Sequence, residues 1–125
     1  MQFTPISIDA EINKTFANAL NLIPELGPIK LAKLLAFFGN FAKAWQATKK
    51  EYLQMPLDET TINQIIAKKN EIDPKSAYEA LKKAGIEMLL MTDPDYPKLL
   101  LEIPNPPPIL YFRGNKKCLS LQNIA

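Results

Sequence analysis

The chain has 125 residues, 47% of them hydrophobic and 22% charged, which suits one packed domain and argues against wholesale disorder. A formal net charge of +2 is too small to announce a nucleic-acid binder by itself. With no histidine and a single cysteine, Cys118, the chain cannot support imidazole catalysis, imidazole metal ligation, an internal disulfide or a multi-cysteine metal site.

From about Asp9 to Leu22 the chain reads as a helix, with Ile12, Phe16, Ala19, Leu20 and Ile23 at helical spacing. Pro24 ends this helix, because the residue before a proline is pushed out of the α region. Gly27-Pro28 opens a second helix, since proline at the first position gives up an amide that would be unpaired anyway. Leu31, Leu34, Leu35 and Phe38 form its apolar stripe, and Gly39 fits a left-handed C-terminal cap. Asn40 caps a brief helix through Phe41, Ala44 and Trp45, and Thr48 to Glu51 has capping-box spacing for another that ends near Pro56. Asp58 starts a helix carrying Ile62, Ile65 and Ile66. Asp73-Pro74 starts the last, with Ala77, Tyr78, Leu81 and Ala84 inward and Gly85 after its end. Residues 1–85 are thus expected to form a compact bundle of six short helices.

The character of the chain then changes. Six of the 11 prolines lie between Pro94 and Pro108. Ile86 to Met91 and Ile109 to Phe112 are short runs that are apolar at successive positions, a pattern suited to strands covered on both faces, as in parallel α/β sheets. Tyr96 to Leu101 reads as one helical turn and Ile103 to Pro108 as an extended polyproline stretch. Two strands alone cannot bury both faces, and Leu121 to Ala125 reads as the opening of another strand. Residues 86–125 are therefore expected to be a sheet fragment of something longer.

Three passages resemble the DNA-processing protein A family, also called DprA or Smf. Leu22-Ile23-Pro24-Glu25-Leu26-Gly27-Pro28, with Leu31, Ala32, Leu35 and Phe38, is similar to its helix-hairpin-helix entry. Gly85 to Met91 followed by Asp93-Pro94-Asp95-Tyr96-Pro97 and Leu99-Leu100 resembles a second family segment. Ile103-Pro104, Pro106 to Tyr111 and Arg113-Gly114 resemble a third. The last two in this order and spacing are specific, whereas the hairpin alone is shared by many DNA-repair proteins. The resemblance implies a mainly α amino-terminal region: a helix-hairpin-helix or sterile-alpha-motif-like bundle over 1–85, then the first strands of an incomplete Rossmann-like α/β domain over 86–125. It also implies a protein that binds single-stranded DNA and loads RecA recombinase on it in natural transformation. The family's main DNA-binding loop follows a strand that would begin at Ile124, so that role falls on no residue of this sequence.

Within the chain, positive charge gathers in residues 26–56, with Lys30, Lys33, Lys43, Lys49 and Lys50 against Glu51 alone. A hairpin binds phosphate through backbone N–H groups at a helix N-terminus. Gly27, the amide of Ile29, and the side chains of Lys30 and Lys33 are the candidate DNA contacts. Against this, Glu25 stands where the hairpin pattern usually has its first glycine; its carboxylate repels phosphate and its side chain hinders close approach. The plainer alternative is that Gly27-Pro28 turns the chain while Lys30 and Lys33 are solvated. A solvated helix face equally explains Lys49-Lys50, Lys68-Lys69 beside Glu71, and Lys82-Lys83 flanked by Glu79 and Glu87. Phe41 and Trp45 suit core packing better than base stacking. Asp93 reads as a turn initiator and Asp95 as a helix cap rather than as metal ligands. Cys118 reads as a bystander thiol, and Tyr111 and Arg113 as packing against a following domain.

No constellation performs chemistry, so no enzyme activity, cofactor or metal is expected, and no glycine-rich phosphate loop follows either strand to support a nucleotide-binding enzyme. The segment is expected to act chiefly as scaffold and interaction surface, with single-stranded DNA and RecA as partners of the whole protein. The alternatives are a free-standing helix-hairpin-helix DNA-binding module and a protein-interaction domain, including self-association as a homodimer. Met1 to Glu11 lacks a basic segment followed by an apolar one, and no apolar run approaches the ~20 residues of a membrane span. A cytoplasmic protein without membrane association is expected.

Overall fold

The computed structural model describes residues 5–113, and among them six helices precede the first strand. These are α1 (Pro5–Asn21), α2 (Pro28–Phe38), α3 (Phe41–Gln46), α4 (Lys49–Tyr52), α5 (Glu59–Lys69) and α6 (Pro74–Lys83). There follow β1 (Ile86–Leu90), the single turn α7 (Lys98–Leu101) and β2 (Ile109–Arg113). Cys118 and the strand expected to open at Ile124 lie outside the described residues.

The helix ends follow from local chemistry. Thr48 and Glu51 form the full capping box, and the Asp58 and Asp73 carboxylates accept from amides in the first turns of α5 and α6. Asn40 Oδ1 accepts from the Lys43 amide at 2.8 Å. A second asparagine reaches the same helix from a distance: Asn13 Oδ1, on α1, accepts from the amides of Phe41 and Ala42 at 2.7 and 3.1 Å. Gly39, at φ 90°, closes α2 and donates its amide to Leu35 O at 2.8 Å. The first helix begins at Pro5, upstream of the Asp9 start that the apolar spacing predicts, because proline is well placed in a first helical turn.

One apolar cluster joins the bundle. Ala17 and Leu20 of α1, Leu31 and Leu34 of α2, Phe41 and Ala44 of α3, and Ile62 and Ile65 of α5 are all buried in it. Trp45 is half-buried, its ring centroid 6.1 Å from that of Phe16. At its centre Tyr52 is fully enclosed, and its hydroxyl donates to Ala44 O. Lys69 Nζ donates to that hydroxyl and to Ala47 O, both at 3.0 Å, and stands 5.0 Å from the Tyr52 ring centroid. Burial lowers the Lys69 pKa, with the nearby Glu51 charge opposing, and burial raises that of Tyr52.

The strands pair antiparallel, from Ile86 opposite Arg113 to Leu90 opposite Ile109, and not in the parallel manner that their apolar runs suggest. The segment between them holds only the four-residue α7, too little for the crossover helix that parallel neighbours require. The burial of β1 at successive positions has a different source. Met88 and Leu90, with Ile109, enter the helical cluster, while Leu89 faces a second cluster with Tyr96, joined by Leu100, Leu110 and Phe112. The segment from Met91 to Pro108 is therefore an arm laid over the outer face of the sheet. Its ends are fixed: Leu90 N donates to Asp93 Oδ2 at 2.8 Å, Met91 N to Pro108 O at 2.9 Å, and Tyr96 Oη to Pro107 O at 2.6 Å.

Two substitutions test these joints. Tyr52→Phe keeps the ring but orphans Ala44 O and one Lys69 donor, so urea melts should show a loss of about 1–3 kcal/mol with an unchanged slope. Asn13→Ala removes the cap that α1 lends to α3 and should cost about 1–2 kcal/mol in the same measurement.

Candidate nucleic-acid interface

The turn that leads into α2 is held by its apolar residues. Ile23 and Leu26 are buried in the core and Leu26 N donates to Ile23 O at 3.0 Å, while Pro24 is left outside. Gly27 occupies the N-cap with φ −81° and ψ −179°, extended backbone that any residue adopts, and a Cβ there would meet nothing within 4 Å. The turn therefore does not require glycine, contrary to the hairpin logic. What glycine does there is leave the cap empty: the N-cap residue offers no side-chain acceptor to the first amides of α2, and Pro28 has no amide to offer. The amides of Ile29 and Lys30 are the groups at that end.

The four candidate residues part ways. Ile29 is 55% exposed. Lys30 Nζ donates to Thr61 Oγ1 at 3.0 Å and lies 3.9 Å from Asp58 Oδ1, stapling α2 to the start of α5. Thr61 in turn donates its hydroxyl to Asp58 Oδ1 at 2.7 Å, and the Thr61 side-chain and backbone hydrogen bonds hold the Asp58 carboxyl below its usual range, with Lys30 adding to them. Lys33, one turn further on, is exposed and enters no ion pair among the described residues. Glu25 Oε1, two residues before the N-cap, is buried without a hydrogen-bond partner among the described residues.

Beside Lys33 runs a groove of about 370 Å³, between the outer face of α2 and the two ends of the arm. Ile29, Ala32 and Ala36 form one wall, Met91 and Pro106 the other. Asn105 stands at its edge with φ 55°, a left-handed conformation that asparagine tolerates better than most residues.

Several of the other sequence candidates are engaged by the fold. Lys69 is built into the bundle, not into a solvated face. Lys82 pairs across the fold with Glu11 at 2.9 Å rather than with Glu79 or Glu87, and Tyr78 Oη donates to the same carboxylate. Burial raises the Glu11 pKa, but the hydrogen bond and charge of Lys82 and the Tyr78 hydrogen bond outweigh it and hold it below the ordinary value. Lys68 pairs with Glu71 as its spacing suggests, at 3.8 Å. Asp93 caps Leu90 N and lies 3.9 Å from Lys14. The N-cap position of α7 is Pro97, which has no cap bond of its own. Tyr111 and Arg113 reach the helices through hydrogen bonds: Tyr111 Oη donates to Asn18 Oδ1 at 2.8 Å, and Arg113 Nη1 donates to Ala84 O at 3.1 Å. No group of three residues suited to hold a metal ion occurs among the described residues.

Lys30 and Lys33 should separate in a thermal melt. Lys30→Met breaks the α2–α5 staple and should lower stability by about 0.5–1 kcal/mol, whereas Lys33→Gln should leave it unchanged. Equal melting of the two variants would contradict the division.

Residues 87–125 match the family model described as DNA recombination-mediator protein A. Over 97 residues, 77% of this chain, the sequence is 33% identical to Protein Smf of Synechocystis sp. (strain ATCC 27184 / PCC 6803 / Kazusa). The chain spans about a quarter of that relative, 24% of its length. No solved structure matches the chain. The family match takes in β1, the arm and β2, and the likeness to the Synechocystis protein extends over most of the sequence; this chain belongs to the DNA-processing protein A (DprA/Smf) family.

Proposed function

We propose that the chain is the amino-terminal part of a non-catalytic recombination mediator that binds single-stranded DNA and delivers it to a RecA-type recombinase in the cytoplasm during natural transformation. The observation that carries this reading is the match of β1, the arm and β2 to the recombination-mediator family. The bundle is read as helix-hairpin-helix or sterile-alpha-motif-like, and the strand pair as the start of a Rossmann-like domain. In this reading residues 5–113 serve chiefly as scaffold, with one sequence-independent phosphate contact at the amides of Ile29 and Lys30 and the side chain of Lys33. Its support is the empty cap at Gly27 and the unpaired charge one turn on.

Gly27→Asp tests the contact cleanly. An aspartate there supplies the missing cap, so stability should hold or rise by a few tenths of a kcal/mol. The same carboxylate occupies the phosphate position, so the chain's affinity for a labelled oligo-dT should fall in fluorescence anisotropy. Affinity should also weaken as salt rises. An affinity unmoved by both Gly27→Asp and salt would refute the contact.

A second reading, docking of a protein partner or a second copy, is favoured by Leu99, Leu101 and Ile103, which are 56%, 44% and 44% exposed on the arm. Sedimentation that shifts with concentration, and reverts on Leu99→Lys, is its expected signature.

A further inference from the structure

We infer that the groove between α2 and the arm is a seat for one unpaired nucleobase, with the adjoining phosphate on Lys33. This rests on the DNA-handling reading above and assigns it a place that the hairpin pattern does not reach, because Met91, Asn105 and Pro106 come from outside the hairpin.

The shape of the groove follows from its residues. Ala32 and Ala36 are one helical turn apart and their short side chains leave a low strip along α2, bordered by Ile29. Across the strip, Met91 and Pro106 offer an apolar wall, and a thioether packs favourably against an aromatic ring. At about 370 Å³ the space falls within the range of small-ligand sites, roughly 300–1,000 Å³, and admits a base with part of its sugar. Asn105 presents an amide, the side chain whose donor and acceptor match a base edge. Pro104 and Pro106 flank it and restrict the backbone on both sides, which lowers the ordering cost of using it.

Charge selects the occupant. Among the described residues, Lys33 is the one charged residue lining the groove, and no carboxylate lines it; Glu25 is not among its walls. The end of the groove at Pro28 and Ile29 is also the N-terminal end of α2, where the helix dipole is positive. An apolar slot with a single amide and a positive rim fits a flat heteroaromatic ring carried on an anionic backbone.

The test uses the 125-residue chain and two labelled single strands of equal length and charge, oligo-dT and its abasic counterpart, in fluorescence anisotropy. The chain should bind oligo-dT about five- to tenfold more tightly than the abasic strand, the gain expected from burying part of one base. Lys33→Gln should weaken both strands alike. Ala36→Glu adds a carboxylate at an exposed helix position and should abolish the preference for dT, with circular dichroism melts confirming that the fold is kept. Equal binding of the two strands, or a dT preference that survives Ala36→Glu, overturns the base seat. So does a shift in sedimentation on Ala36→Glu, which would give the groove to a second copy. A chain that binds neither strand also overturns it, while strand binding by the full-length protein would leave the recombination-mediator reading standing.

Discussion

The last three residues of β1, buried on both faces of the strand, hold this part of the molecule together. β1 gives Met88 and Leu90 to the helices and Leu89 to the arm, so three consecutive side chains leave water in opposite directions. Burying such side chains contributes on the order of 1.5–3 kcal/mol each. That gain requires both covers to be present. Met88 and Leu90 complete the helical cluster, and Leu89 is sheltered by Tyr96, whose hydroxyl ties the two limbs of the arm together at Pro107 O. Two further ties, Tyr111 to Asn18 and Arg113 to Ala84, extend the same attachment along β2.

The position of α2 follows from this arrangement. Its inner stripe, Leu31, Leu34 and Leu35, is committed to the core, and Lys30 is committed to α5. The outer stripe, Ile29, Lys33 and Ala36, is left beside the ends of the arm. The absence of a side-chain cap at Gly27 and the groove along the outer face of α2 are the two features on which the proposed phosphate and base contacts rest. The scaffold sets that geometry through buried contacts.

Much of the fold was legible in local patterns. Each cap at Asn40, Thr48, Asp58 and Asp73 is a short-range interaction, and a short-range interaction leaves its mark within four residues of sequence. The stripe of α2 and the apolar burial of β1 were legible for the same reason. What escaped was long-range. Asn13 capping α3, Lys69 reaching Tyr52, and Lys82 crossing to Glu11 join residues far apart in sequence, and no periodicity announces them. The strand direction escaped too, because successive apolar positions report that both faces are covered but not what covers them. Of the site, Gly27, Ile29, Lys30 and Lys33 were visible as a cluster, but only the fold shows that Lys30 is engaged by Thr61. Only the fold brings Met91, Asn105 and Pro106 alongside.

Met91 has a double membership with a consequence of its own. It packs against the helical cluster and against the Leu89–Tyr96 cluster, and it also lines the groove. A guest in the groove thus leans on a side chain that both halves of the interior share. Occupancy outside and cohesion inside become thermodynamically linked, so any ligand seated there adds to the resistance of the whole chain to unfolding, and the gain keeps rising with the logarithm of ligand concentration after the groove is filled.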